Sequence, residues 1–294
     1  MDINTDILII GSNLCGLLSS YIFADKNIDI IIVESEKVID IINKQSEYVQ
    51  IENEHNQLLS LLNIYQTIDF FKMSLEGIYK LNSIVTQMTN DCEFRRKPSI
   101  NFKIDKINRE KYLTFPFIYK SGTTINTKKL IKELLNYLKR KNISIHYNLD
   151  IVDIEIIKNK VKVLLNNGNR IECKKLLVCK RNFSELYFNL PKKHDINSNY
   201  SIINTRVYKD IFIGVENSLE YKYYISPIIK YHINTFFSSS NRHLPYIDIH
   251  DIYPQVYFNV SNRDILSSII GAEILRNNYL GKYDKRLKIY KLLG

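Results

Sequence analysis

Residues 6–16, DILIIGSNLCG, place a short apolar strand directly before a glycine turn. Residues 17–26 suit a helix, and residues 28–33 form a second apolar strand that stops at Glu34. Strand, glycine turn, helix, strand and acid is the order of the dinucleotide-binding fingerprint. In that motif the acid accepts a hydrogen bond from a ribose hydroxyl, and the pyrophosphate lies at the start of the helix. The sequence therefore predicts a nucleotide-type α/β unit over residues 1–36.

One position departs from the fingerprint, because Asn13 stands where the middle glycine of G-x-G-x-x-G is expected. That glycine lets the backbone approach the pyrophosphate closely, and an asparagine side chain would lie where the phosphates should go. Asparagine tolerates a left-handed backbone, so we expect the turn itself to survive. The pattern thus predicts the fold and leaves open whether a dinucleotide is bound; its candidate contacts are Gly11, Ser12, Asn13, Gly16 and Glu34.

The composition is that of a globular protein: 294 residues, 45% hydrophobic and 24% charged. No stretch approaches the roughly 20 apolar residues of a membrane-spanning helix, and no signal peptide is visible, so we expect a cytoplasmic protein. The net charge of +10 favours anionic partners and is compatible with transient contact with an anionic membrane surface. No recognised motif supports binding to nucleic acid.

The cysteines have no paired spacing and are interpreted as reduced thiols: Cys15, Cys92, Cys173 and Cys179.

Residues 37–115 are predicted to be a small, mostly helical insertion, in which residues 92–111 form a surface connection. The clearest helix follows over residues 127–141, with one apolar stripe and lysines on the opposite face. Asn126 or Thr127 is its expected N-cap.

A segment rich in strands comes after this helix, with strands over residues 143–147, 151–157 and 176–179. Residues 160–173 have the pattern of a hairpin around the turn at Gly168, and a helix is expected over residues 265–277. The order of these elements predicts an α/β fold of the FAD/NAD(P)-binding, Rossmann-like type. Its two-part sheet domain combines residues 1–36 and 116–294.

Other catalytic signatures are missing from the sequence. It has no G-x-S-x-G elbow, P-loop or C-x-x-C pair, and His243, His250 and Asp251 lack the spacing of a zinc site. We therefore expect no metal and assign no catalytic residue.

Several short stretches resemble the Rab GDP-dissociation inhibitor and Rab escort protein family. Residues 171–179, IECKKLLVC, look like its "CKxLIC" strand, and residues 116–122, PFIYKSG, lead into the long helix as its "YPLYGLGELPQ" segment does. Residues 68–80 and 256–261 are similar to its "LDFK…EG…YK" and "IFIS" stretches. The resemblance implies a non-catalytic protein of vesicle-mediated transport that binds a GDP-form, prenylated Rab GTPase. The contacts that it implies by position are Tyr119, Gly122, Thr123, Asn126, Lys129 and Arg263.

The alternative is an FAD-dependent oxidoreductase similar to the amine oxidase and protoporphyrinogen oxidase class, which shares this order of elements. That resemblance implies FAD contacts at the glycine turn, at Glu34, at the backbone of Ile151 and at Gly271. Three features that touch the flavin in that class are weakened here: the middle glycine, a glycine-rich segment after Glu34, and the late "YFAGE" motif. We therefore expect no cofactor. A third reading, a structural pseudoenzyme with another partner, stays open.

Overall fold

The computed structural model describes residues 2–24, 28–43, 48–51, 62–96, 99–102, 104–107, 110–113, 117–119, 123–157, 159–180, 203–208, 211–216, 231–236, 245–261 and 264–291. The strands, in chain order, are β1 (Asp2–Ile10), β2 (Ile30–Val33), β3 (Tyr48–Ile51), β4 (Arg95–Arg96), β5 (Ser99–Phe102), β6 (Ile104–Ile107), β7 (Glu110–Leu113), β8 (Phe117–Tyr119), β9 (Thr123–Asn126), β10 (Ser144–His146), β11 (Ile151–Ile157), β12 (Lys160–Leu165), β13 (Arg170–Val178), β14 (Ile203–Tyr208), β15 (Ile211–Glu216), β16 (Tyr231–Phe236), β17 (Tyr246–Ile249) and β18 (Val256–Val260). The helices are α1 (Leu14–Phe23), α2 (Val38–Asn43), α3 (Ile64–Thr86), α4 (Thr127–Arg140), α5 (Ile265–Tyr279) and α6 (Leu287–Lys291).

The centre of the main sheet is parallel, in the order β10-β2-β1-β13-β18. The chain moves outward from β1 through β2 to β10 and then returns to the other side of β1 to form β13. β1 and β13 are therefore neighbours whose connections leave in opposite directions. Ligands of open α/β sheets bind at such a switch point, outside the carboxyl ends of the strands.

Antiparallel strands complete the main sheet on the far side of β13. β12 pairs with the first half of β13 and β11 pairs with β12, while β17 pairs with β18. The turn between β12 and β13 carries Gly168 at φ +80°, a conformation that favours glycine. The predicted hairpin is confirmed, and its return strand continues without a break to Val178.

The two faces of the main sheet are covered by different layers. Alternate residues of β1 point to opposite faces: Ile7 and Ile9 pack against α1, α3, α4 and α5, whereas Leu8 and Ile10 pack against the β11–β12 hairpin. Because both faces are covered, the central strands are continuous apolar runs rather than alternating ones. The fold class predicted from the sequence, a Rossmann-like α/β sheet, is confirmed.

The connection predicted over residues 92–111 instead contains strands. β5 pairs in parallel with β15 and antiparallel with β8, in a second sheet of order β16-β14-β15-β5-β8. β3 and β4 flank β9, and β6 pairs with β7. The strands β3 to β9 are two to four residues long and several pair with distant partners, so a local sequence pattern does not reveal them. The limits of the predicted insertion, residues 37 and 115, stay a prediction.

The two helices predicted at the main sheet are confirmed: α4 has Asn126 as its N-cap, and α5 has Asp264. None of the described helices combines the length and apolar character needed to cross a membrane. The cellular compartment stays a prediction.

Candidate dinucleotide site

The candidate site lies at the carboxyl ends of β1 and β13, the switch point of the main sheet. Gly11 follows β1 at φ +101°, which an L side chain rarely adopts. Gly16 lies in the first turn of α1, where an added Cβ would stand 1.9 Å from the Gly11 carbonyl oxygen. Both glycines are therefore required: one for the direction of the turn, and the other for the close packing of α1 over the end of β1.

Asn13 caps α1 and does not adopt the left-handed backbone that the sequence allowed. Its φ is −63° and its Oδ1 accepts a hydrogen bond from the Gly16 N–H at 3.0 Å. Its Nδ2 donates to the Cys179 carbonyl at the end of β13, at 2.8 Å. The side chain thus fixes the helix start to β13. This cap explains why α1 begins at Leu14, three residues earlier than predicted.

The start of α1 retains N–H groups that could bind an anion. Gly16 and Leu17 donate to the side chain and carbonyl of Asn13. Within the described part of the chain, the N–H groups of Leu14 and Cys15 have no hydrogen-bond partner, although both residues are buried. Orphan N–H groups at a helix start are satisfied by side chains, water or a ligand, and the helix dipole favours an anionic one.

Glu34 comes directly after β2, beside this turn, and is only 4% exposed. Its Oε2 accepts from the Ser12 N–H at 2.7 Å, and its Oε1 accepts from the Glu36 N–H at 3.2 Å. Burial alone raises the pKa of the Glu34 carboxyl, but the Ser12 N–H and the nearby Lys180 ammonium outweigh it and lower the pKa. Glu34 is therefore a buried, ionised acceptor at the position predicted for the ribose-binding acid.

The Lys180 side chain packs against the Glu34 carboxylate. Its ammonium lies 3.0 Å from Glu34 Oε1 and 2.6 Å from the Ser35 hydroxyl. Its Cβ is 3.4 Å from the place that a Cβ on Gly11 would take, so the stem of this side chain starts directly over the glycine turn. A single lysine thus spans the distance from the turn to the acid.

The segment after β10 forms another wall beside the acid. The Glu34 N–H donates to the His146 carbonyl at 2.9 Å, and the Leu149 N–H donates to the Glu34 carbonyl at 3.1 Å. The Tyr147 hydroxyl bonds with Ser12; burial and then the Glu34 charge raise its pKa. Ile151 begins β11 two residues after Leu149.

Gly271 lies away from the turn, where α5 packs on the sheet. A Cβ there would stand 2.6 Å from both Asn259 Oδ1 and Ile247 Cδ1, so Gly271 allows close packing of α5. A buried polar cluster joins this contact to α1. Asn259 Nδ2 donates to the Ser19 hydroxyl at 3.0 Å, and Cys15 Sγ contacts the Asn259 carbonyl at 2.9 Å.

Three of the positions predicted to contact a Rab GTPase, Thr123, Asn126 and Lys129, lie in β9 and the first turn of α4. Thr123 and Asn126 are buried in β9, and Asn126 accepts from the Lys129 N–H at 3.1 Å. Lys129 forms an ion pair with Glu93, and Tyr119 ends β8. Gly122 and Arg263 lie outside the described residues. No contact described here tests a role in partner binding, which stays a prediction.

Two residues of the crevice, Lys180 and Tyr147, were missed in the sequence. Each lies just beyond the end of a parallel strand: Tyr147 is the first residue after β10, and Lys180 is the second residue after β13. Residues just beyond the carboxyl ends of parallel strands are candidate ligand contacts. That signal was present, but it could be used only once the strand order was known.

The sequence itself matches no protein-family model and no curated protein. Solved structures do match. Glycine oxidase from Bacillus cereus superposes with a TM-score of 0.64 at 14% identity, over 98% of each chain. L-amino acid deaminase from Proteus vulgaris gives 0.64 at 10% identity, over 98% of this chain and 96% of that one. L-proline dehydrogenase from P. horikoshii gives 0.63 at 9% identity, over 99% and 97%.

The chain has the FAD/NAD(P)-binding fold. The similar structures are FAD-dependent amino acid oxidoreductases, which favours the oxidoreductase alternative. The assignment to Rab inhibition or escort and to vesicle transport is therefore corrected, since it rested on short matches, whereas the structures named above are oxidoreductases.

The expectation of no cofactor is also corrected, because the structures that share this fold depend on FAD. It rested on three weakened features taken together, and one of them was Asn13, whose side chain was expected to fill the phosphate position. Instead, the two ends of that side chain bond to Gly16 and Cys179, and the N–H groups of Leu14 and Cys15 remain for a phosphate. The described residues at the start of α1 and at Glu34 thus fit the ADP half of FAD.

Proposed function

We propose that this protein is an FAD-dependent oxidoreductase that acts on a small amino acid or related amine. The observation that carries the proposal is the crevice itself, where a glycine turn, the N–H groups of Leu14 and Cys15, and the buried acid Glu34 lie at the switch point. The likeness to glycine oxidase, L-amino acid deaminase and L-proline dehydrogenase supports the substrate class. Bound FAD would supply the electron acceptor for the oxidation.

The chain's own residues have defined roles in this proposal. Gly11 and Gly16 let the backbone approach the pyrophosphate, and the first turn of α1 binds it through its N–H groups. Glu34 accepts a hydrogen bond from a ribose hydroxyl. Ser12 holds the carboxylate in place through its N–H at 2.7 Å. The backbone near Ile151 borders the adenosine, while Gly271 acts indirectly by seating α5 on the sheet.

Titration with FAD tests the binding step. We expect the purified chain to quench the fluorescence of added FAD and to saturate at one FAD per chain. Glu34→Gln removes the charged acceptor and should weaken binding about tenfold, because hydrogen bonds to charged groups contribute about 1.5–3 kcal/mol. Glu172→Gln, on the exposed hairpin, is the matched control. Binding that Glu34→Gln leaves unchanged would place FAD elsewhere.

Anaerobic mixing of the FAD-loaded chain with single amino acids tests the reaction. Bleaching of the visible flavin band by glycine, proline or another small amino acid is the expected result. A loaded chain that keeps its flavin oxidised with every amino acid and simple amine would contradict the substrate class and leave the binding proposal standing.

A further inference from the structure

Lys180 occupies the side of Glu34 that a ligand would approach. The other groups that bond the carboxylate, namely the Ser12 N–H and hydroxyl, the Ser35 hydroxyl and the Glu36 N–H, belong to the adjoining turns. Glu34 is 4% exposed, whereas the Lys180 side chain is 32% exposed. Among the described residues, the ammonium is therefore the partner that a ribose hydroxyl would have to displace.

The position of the Lys180 backbone would allow its ammonium to reach a second place, the first turn of α1. Its Cβ starts over Gly11, and the end of β13 that carries it is tied to the start of α1 by the Asn13–Cys179 bond of 2.8 Å. The lysine stem is flexible and its ammonium is a compact, mobile charge. From the same root it can turn toward Glu34 or toward the first turn of α1, where the N–H groups of Leu14 and Cys15 lie.

We infer that Lys180 is an exchangeable counter-ion that recognises the pyrophosphate of an ADP moiety. Binding would exchange the Lys180–Glu34 ion pair for two contacts: Glu34 with a ribose hydroxyl, and Lys180 with a phosphate oxygen. This inference rests on the proposed function, since FAD contains that moiety. It predicts that ADP is discriminated from adenosine by this lysine, because adenosine would displace the ammonium without offering it a phosphate.

Calorimetric titration of the full chain, treated with charcoal to remove nucleotide, tests the exchange. Adenosine and ADP are titrated separately into the wild-type protein, Lys180→Met and Lys180→Arg. We expect Lys180→Met to weaken ADP binding by roughly tenfold, the effect of one charge-assisted hydrogen bond, and to leave adenosine binding as tight or tighter. Lys180→Arg should restore most of the preference for ADP. Added salt should weaken ADP binding more in the wild-type protein than in Lys180→Met.

Lys174→Met is the matched control, because Lys174 lies on β13, the strand that leads to Lys180, and its ion pair with Asp6, at 2.6 Å, is outside the crevice. It should bind both ligands as the wild-type protein does. Lys180→Met with an unchanged ratio of ADP to adenosine affinity would overturn the inference and leave FAD binding intact. A wild-type chain that binds neither ADP nor FAD would overturn both proposals.

Discussion

Two ion-pair sites in this protein use their cations in opposite ways. At the crevice, the acid Glu34 is fixed and buried, and the ammonium of its partly exposed cation, Lys180, contacts Glu34 and the Ser35 hydroxyl. At the contact of α3, α5 and the segment before α6, the cation is fixed: Arg286 is 18% exposed and bonds Asp284, Glu76 and Glu273. The guanidinium is a rigid fork that holds several carboxylates, whereas an ammonium can leave one partner for another. The Arg286 cluster is therefore suited to holding helices together, whereas the Lys180–Glu34 pair is suited to exchange with a ligand.

The largest effect is expected at the fixed part of the crevice. Gly16→Ala places a Cβ 1.9 Å from the Gly11 carbonyl oxygen, so α1 must move. We expect a loss of about 3 kcal/mol in the free energy of unfolding, measured in urea, together with loss of FAD binding. Gly168→Ala is the control: its Cβ meets open space, and only its positive φ costs about 1 kcal/mol. Equal losses in the two variants would mean that the turn is not closely packed.

The Arg286 cluster should be the more costly of the two ion-pair sites to break. Arg286→Met leaves Asp284 and Glu273 without this partner, and we expect a loss of about 2 kcal/mol, below that of a fully buried pair because the cluster is partly exposed. Urea unfolding measures this loss. Arg286→Lys should lose less stability than Arg286→Met but more than the wild-type protein, because lysine keeps the charge and lacks the planar guanidinium fork. A full rescue by lysine would mean that the charge of Arg286, and not its rigid fork, holds the cluster together.

Acid should weaken the Arg286 cluster in a defined pH range. Burial opposes ionisation of Asp284, but its bonds with Arg286 and Asn277 hold its pKa at about 2, below the usual 3.8 of an aspartate. A depressed pKa adds stability that is complete above the unfolded pKa and is lost as the pH falls from about 4 to 2. We expect about 1–2 kcal/mol from this group after allowance for solvent. The free energies of unfolding of the wild-type protein and of Asp284→Asn, measured in urea at a series of pH values, should converge as the pH falls through this range. A difference between the two proteins that does not change with pH would refute the depressed pKa of Asp284.

Lys180→Met should have the smallest effect on stability. A pair with one exposed cation contributes under about 1 kcal/mol, so its removal should shift the urea midpoint only slightly. Glu34 then loses a favourable charge, and its pKa should rise, which carbon-13 NMR of its carboxyl can measure. A loss as large as that of Arg286→Met would show that Lys180 is a structural joint and not an exchangeable one.

Local patterns made much of the fold predictable. The run from Asp6 to Glu34 specified strand, turn, helix and strand, because apolar strands, glycines and a terminal acid are each tied to one geometry. The amphipathic stripe of α4 and the hairpin at Gly168 were equally local signals. The short strands β4 to β8 were not predictable, because their pairing with partners such as β15 depends on contacts distant in sequence.

The site was predictable in part, for the same physical reason. Gly11, Gly16 and Glu34 belong to one continuous motif and come together as expected. Lys180 reaches this motif from far along the chain, through a strand order that the sequence does not display. Asn13 was judged by the space that its side chain would fill; its two hydrogen-bond partners, Gly16 and Cys179, decide its role instead.

The most direct test of the central claim is a visible absorption spectrum of the purified full chain after incubation with FAD and removal of the excess. The account predicts a flavin spectrum at about one FAD per chain, with FAD released into the supernatant on denaturation. A colourless protein that takes up no FAD, although it unfolds cooperatively in urea as a folded protein does, would contradict the proposal that this chain binds FAD.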